Sequence, residues 1–199
     1  MAPRSEEQNS ALRERTAAQI LDAAVALFAE RGFAASTVEL AERAGVSKGT
    51  VFHHFPGKDD LIAALVERSV TASLDAWDAA PAGTAPEEML RGAVAAALAG
   101  VRAQPALYRI AFMAAISPEA APALERARAA LRPRLEAHGQ RMAALFRDLG
   151  RPDPAADALL FQAALNGLGQ VALSRPELLE RPDLLPLDRI AETLAGAFR

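Results

Sequence analysis

Apolar positions recur at the three- and four-residue spacing of helices from one end of the chain to the other. Between Leu12 and Arg31 the stripe is Ile20, Ala24, Leu27 and Phe28, and it stops at Gly32, a residue type that commonly ends helices. Ser36 and Thr37 are candidate N-caps for a short helix, Val38 to Ala44, expected to pack through Val38, Leu40 and Ala41. Gly45-Val46-Ser47 breaks it, and Ser47 can cap a second short helix from Lys48 to His54 or Phe55, ending before Pro56-Gly57. A longer helix is predicted from Lys58, with Asp59 and Asp60 at the positive end of its dipole. Its inward face is predicted to be Ile62, Leu65, Val66, Ser69, Leu74 and Trp77.

Pro81 to Pro86 reads as a linker, in which Thr84-Ala85-Pro86-Glu87 has the form of a capping box with proline in the first turn. A helix follows to about Ala103, and Pro105 opens another through Leu107, Tyr108, Phe112 and Met113 to Ile116. Pro118 to Leu149 carries one long stripe, Leu124, Leu131, Leu135, His138, Met142, Leu145 and Leu149, with Pro133 inside it predicted to kink the helix. After Gly150 to Pro154, the segment Asp157 to Leu173 is apolar around most of its circumference. A last helix beyond Pro186 has Leu187, Ile190, Ala191, Leu194, Ala197 and Phe198 on one face. A helix apolar on all sides must be covered on all sides. The cover is expected to be a second copy of the chain, the alternative being a central core helix of a monomer.

Composition agrees with helices. Half of the 199 residues are apolar (51%) and a quarter charged (24%), which suits a folded protein. Alanine is abundant and β-branched residues are scarce. Cysteine is absent, which excludes disulfides, thiolate metal sites and cysteine nucleophiles; three histidines leave little for a metal cage. No cofactor and no metal are expected. The polar segment Met1 to Thr16 is no secretory leader, and Ala93 to Val101 is about half the length a bilayer requires, so a cytoplasmic protein without a membrane partner is expected. The net charge of −3 does not by itself suggest a nucleic-acid binder. Its distribution is compatible with local docking on a phosphate backbone, since Lys48 and Lys58 are the only lysines and no acidic residue stands between Val46 and Lys58; the alternative is an ordinary solvated segment, and charge alone does not decide.

Two short helices joined by a glycine-containing three-residue turn are a helix-turn-helix candidate. Ala41 lies where the helices must approach, Gly45 where the chain reverses and Val46 where a plug fits the angle. Helices this short are marginal alone. The flanking helices must therefore complete a core of Phe28, Phe33, Val38, Leu40, Val51, Phe55 and Leu61.

The stretches LFAERGF, AGVSKGT and HHFPGKDDL, in this order and spacing within residues 10 to 70, resemble the DNA-binding region of the TetR family of bacterial transcriptional regulators. The resemblance implies an all-α homodimer of about nine helices. Residues 1–57 would be a three-helix head with the helix-turn-helix. Residues 58–199 would be a helical ligand-binding and dimerisation domain, with the helix from Lys58 joining the two and the last two helices building the dimer interface. It also implies site residues. Ser47, Lys48, Gly49 and Thr50 match the start of the recognition helix, whose first residues face base edges. His54 and Lys58 match phosphate-holding positions, with His53 beside them, and Thr37 resembles the phosphate-binding cap of the preceding helix. Phe52 stands where the family often has tyrosine, so a phenolic hydrogen bond is lost and a thymine methyl becomes its expected contact.

No nucleophile elbow, phosphate-cradling glycine loop or zinc-helix motif is present in the sequence, so an enzyme is not expected. Tyr108, Phe112, Met113, Met142 and Phe146 are candidates for the wall of a small-molecule pocket, with His138 and Asn166 as polar contacts. Phe161, Leu165, Leu168, Ile190 and Leu194 are candidates for the dimer interface. The function expected is a regulator, most simply a repressor, released from an inverted-repeat duplex operator by a mostly apolar small-molecule effector. The alternative is an all-helical enzyme or lipid-binding protein with an incidental helix-turn-helix head.

Overall fold

The computed structural model describes residues 6–79 and 83–175, together with residues 177, 189, 192, 193, 196 and 197. The described elements are all helical: α1 (Glu6–Arg31), α2 (Thr37–Ala44), α3 (Lys48–His54), α4 (Lys58–Asp78), α5 (Pro86–Ala103), α6 (Pro105–Ile116), α7 (Ala121–Asp148) and α8 (Pro154–Ser174). Single turns of 3₁₀ helix at Gly32–Ala34 and Pro118–Ala120 lead into α2 and α7. The ninth expected helix, with Ile190 and Leu194, falls largely outside the described residues.

The chain divides into two compact units. The first consists of Met1–Glu67 and Ile110–Ala127. Its core contains Ile20, Ala24, Leu27 and Phe28 of α1, Phe33, Leu40 and Ala41, Val51 of α3, and Leu61, Ile62 and Leu65 of α4. Phe28 and Phe33 meet edge to face, with ring centroids 5.7 Å apart. Val38 was expected in this core but is 47% exposed. On an eight-residue helix only one side can face α1, and Leu40, Ala41 and Ala44 occupy it.

The second unit consists of Arg68–Arg109 and Arg128–Arg199. Within it α5 packs on α8. The core contains Leu90, Val94 and Leu98 of α5, Leu107 of α6, Met142, Leu145 and Phe146 of α7, and Phe161, Ala172 and Leu173 of α8. Arg134 and Arg141 of α7 reach Asp75 and Asp78 of α4 over 2.7 and 2.5 Å. Asp157 of α8 is buried and is met by Arg151 at 2.8 Å, so the carboxylate keeps a partner inside the α7–α8 corner.

Local signals explain most helix ends, with two departures from expectation. α5 starts one residue later than a Thr84 capping box requires. Pro86 takes the first helical position, which its fixed φ and missing N–H favour, so Ala85 becomes the N-cap and its side chain accepts no capping bond. α8 starts at Pro154, not Asp157, because Asp153 accepts the Ala156 N–H at 3.1 Å and again places a proline first. As expected, Pro133 lies inside α7, which runs on as one helix through it; Pro133 and Ala129, whose carbonyl loses its intrahelical donor, are both exposed to water.

Candidate nucleic-acid interface

Between α2 and α3 the chain reverses in three residues. Gly45 adopts a left-handed φ of 64°, which a side chain would oppose, and its N–H caps the end of α2. Val46 then donates to the Ala41 carbonyl at 3.0 Å. Ser47 opens α3 by accepting the Thr50 N–H at 3.0 Å, and the two hydroxyl oxygens lie 2.8 Å apart. The Thr50 hydroxyl is therefore tied to the cap, and Thr50 is half-buried.

Seven residues do not hold a helix by themselves. Val51, only 1% exposed, anchors α3 to the core, and the helix period then turns Lys48, Gly49, Phe52 and His53 outward. All four are exposed, Phe52 to 41%, an unusual place for an aromatic ring unless something covers it. The Lys48 Nζ lies over the Phe52 ring, 5.6 Å from its centroid.

Three contacts that no sequence motif signalled hold this face in place. Gln19 Nε2 of α1 donates to the Ala44 carbonyl at 2.7 Å, at the end of α2. Arg43 grips both oxygens of Glu30 at 2.7 and 2.8 Å, holding the Glu30 carboxyl below its ordinary pKa. Arg31 pairs with Glu39. These partners are distant in sequence and share no helix face, so periodicity could not join them. One further element was legible: Ser36-Thr37-Val38-Glu39 is a capping box, with the Ser36 N–H donating to Glu39 at 2.9 Å and the Glu39 N–H donating to Ser36 Oγ. Ser36 is therefore the cap. Of the two expected candidates Ser36 takes that role, and Thr37 is the first residue of α2, because Glu39 sits three residues from Ser36.

At the other end of α3, His53 and His54 stand edge to face with centroids 5.4 Å apart, and His54 continues onto Phe55 at 6.4 Å. Burial lowers the His54 pKa, aided by His53 and Arg13, so its ring is neutral near pH 7. Lys58, half-buried, is the first residue of α4, ahead of Asp59 and Asp60, and Asp60 accepts from Arg126 at 2.6 Å.

The remaining candidates are distributed differently. Phe112 and Met113 are half-buried residues of the first unit, and the Met113 methyl lies against Gly32. In the second unit Met142 and Phe146 are core, and Phe146 packs on Phe161 at 6.0 Å. Tyr108 is half-buried with its hydroxyl 3.1 Å from Ser73 Oγ. His138 stands edge to face on Trp77 at 5.4 Å, and its buried Nδ1 has no hydrogen-bond partner. Asn166, expected as a pocket contact, is exposed on α8 and accepts from Gln162 at 3.1 Å.

Phe161 has no surface to offer a second copy, being 0% exposed. Leu165 and Leu168 are half-buried. The outward side of α8 presents Leu159 (71% exposed), Leu160 (58%) and Val171 (47%), none of them singled out from the sequence. A helix apolar all round hides which of its faces meets its own chain. Among the described residues no group of acidic, histidine or cysteine side chains could hold a metal ion, and no helix is long and apolar enough to cross a membrane.

A family model described as bacterial regulatory proteins, tetR family, matches residues 20–65. The HTH-type transcriptional repressor Rv3405c of Mycobacterium tuberculosis is 50% identical over 56 residues, which span 28% of this chain and 30% of that protein. The chain thus covers about a third of the length of such curated relatives. A transcriptional regulator of Rhodococcus sp. Rha1 matches in structure along 94% of this chain and 95% of its own, at 29% identity and a TM-score of 0.69. FadR of Bacillus subtilis, solved in complex with stearoyl-CoA, shares the fold over 90% and 96% at 14% identity and a TM-score of 0.70. The family-model match falls on the helix-turn-helix and its supporting helices, so residues 20–65 are similar to the DNA-binding region of the tetR family of bacterial regulatory proteins.

Proposed function

We propose that the chain is a ligand-responsive transcriptional regulator that docks α3 in the major groove of duplex DNA. The observation that carries this is the outward face of α3. Lys48, Gly49, Phe52 and His53 stand clear of the core, in a segment without an acidic residue from Val46 to Lys58. Cationic, aromatic and backbone groups on the first turns of a short helix suit base edges and phosphates together. Ser47, Lys48, Gly49 and Phe52 face the bases, with Thr50 steadying the cap. His53, His54, Lys58 and Thr37 flank them toward the backbone.

The exposed leucines of α8 support a homodimer, whose two heads would meet an inverted repeat. A small molecule that binds one arrangement of the dimer better than the other shifts the population and changes operator affinity. In the second unit the buried Nδ1 of His138 stands beside Trp77 without a hydrogen-bond partner, in a unit whose core is almost entirely apolar, which supports a largely apolar effector held by few polar groups. The stearoyl-CoA in the complex of a fold relative carries a long apolar chain, in keeping with that reading. Repression is the sense of regulation proposed, after the repressors whose head sequences match.

The test is selection of bound duplexes from a random pool, followed by a salt titration on the winner. Enrichment of an inverted repeat with steep salt dependence is the expected outcome. Turnover of a substrate without specific duplex binding would overturn the regulator in favour of an enzyme carrying an incidental head.

A further inference from the structure

Lys48 and Phe52 stand one helical turn apart on the outward face of α3, and the Lys48 Nζ lies 5.6 Å above the Phe52 ring. We infer that they form one reading unit, which recognises a guanine and a thymine methyl within two base-pair steps of each other in each half-site. This rests on the duplex-binding function proposed above and extends it to the chemistry of the operator.

Four residues along a helix correspond to about 6 Å of rise, and base pairs stack about 3.4 Å apart, so the two side chains address neighbouring pairs. In the major groove guanine offers the acceptors O6 and N7 to a lysine, and thymine offers the one apolar group, its C5-methyl. Phe52 has no hydroxyl and 41% of its surface is uncovered, so only an apolar partner gains from meeting it. Gly49, exposed between the two, adds no bulk, which lets the helix sit close enough for both contacts.

The ring does more than wait for a methyl. A free lysine samples many rotamers, and ordering it on a base costs entropy. Held over the face of Phe52, the ammonium is pre-aimed while its remaining N–H donors stay available to a guanine. Guanine preference at Lys48 therefore depends on the aromatic face of Phe52, whereas thymine preference depends only on its apolar bulk.

The experiment uses the full-length chain and its selected duplex, scanned with deoxyuridine for thymidine and with 7-deazaguanine for guanine. Loss of one methyl contact is expected to weaken binding about fourfold per half-site at one position. 7-Deazaguanine within two steps of it should weaken binding about fivefold. In Phe52→Ala both sensitivities should fall. In Phe52→Leu, which keeps apolar bulk without a ring, the uracil effect should persist while the 7-deazaguanine effect shrinks. Lys48→Ala should likewise keep the uracil effect and lose the 7-deazaguanine effect, and Lys48→Ala/Phe52→Ala should lose less affinity than the product of the single losses. Both residues are exposed, so these variants retain the core. Uracil sensitivity unchanged in Phe52→Ala, or losses that multiply, would overturn the unit while leaving the regulator intact. Absence of any sequence-specific duplex binding by the unmodified chain would overturn both.

Discussion

Tyr108 on α6 occupies the space that a side chain on Gly100 of α5 would need. A β-carbon at Gly100 would lie 2.6 Å from the tyrosine oxygen and 3.2 Å from Cζ. The glycine thus makes room for a ring whose hydroxyl meets Ser73 at 3.1 Å. Alanine is favoured over glycine inside a helix by about 1 kcal/mol. Here the overlap should outweigh that gain, because the ring must leave its place and the bond to Ser73 with it. Gly100→Ala is expected to lower the melting temperature of the wild-type chain and to raise that of Tyr108→Ala. Equal shifts in the two backgrounds would show that the glycine is not there for the tyrosine.

The two hydroxyls at the start of α2 should separate cleanly. Ser36 exchanges hydrogen bonds with Glu39, so Ser36→Ala should cost about 1 kcal/mol in denaturant unfolding. Thr37 is the first helical residue and caps nothing, so Thr37→Ala should leave the midpoint nearly unchanged. If Thr37 holds a phosphate, its substitution lowers duplex affinity instead. Equal stability losses would return the cap to Thr37.

Lys58 should act on DNA through charge alone. Lys58→Ala is expected to weaken binding to every duplex and to reduce the salt slope by about 0.9, the release from one phosphate. A slope equal to that of the unmodified chain would remove Lys58 from the backbone contacts.

His138 supplies a pH dependence. Burial lowers its pKa from the ordinary 6.5, against the opposing pull of Gln162 and Asp78 and with the help of Arg141. Asp78 is itself engaged by Arg134 and Arg141, and Trp77 covers the ring. The unfolded chain therefore binds the proton more readily than the folded one. Its stability contribution is intact above 6.5 and is lost as pH falls from there through the lower folded-state value. His138→Gln should flatten the melting temperature between pH 5 and 7, and imidazole NMR should place the folded midpoint below 6.5. A midpoint above 6.5 would reverse the sign and defeat the prediction.

What was legible in the sequence was local. Ser47, Gly45 and Val51 each act within one or two turns, through a cap, a reversal and an inward position, and the candidate interface on α3 follows from them. The face of α2 was harder, since eight residues gave Val38 and Leu40 equal claims and only packing on α1 chose between them. Pairs such as Glu30 with Arg43, or Gln19 with the Ala44 carbonyl, depend on how helices cross, which no spacing along one helix encodes. The Thr84 box failed for a different reason. Two local preferences competed there, and the constraint of Pro86 prevailed over a hydroxyl cap.

The same limit applies to α8 and yields the sharpest test of assembly. Its sequence is apolar nearly all round, so Phe161 and Leu160 look alike there, yet the first is 0% and the second 58% exposed. Phe161 packs on Phe146 within its own chain, and Phe161→Ala should cost about 3–5 kcal/mol of stability through the cavity it leaves. Leu160 faces outward beside Leu159, so Leu160→Arg should leave the single chain folded, its guanidinium in water. In a dimer built on this face the same charge is buried without a partner, which is strongly unfavourable. Leu160→Arg is therefore expected to sediment as a folded monomer with native helical content and weakened binding to an inverted repeat. Leu160→Ala should dimerise less tightly without unfolding. An unmodified chain that sediments as a monomer, or a Leu160→Arg variant that remains a dimer, would place the second copy on another face or remove it altogether.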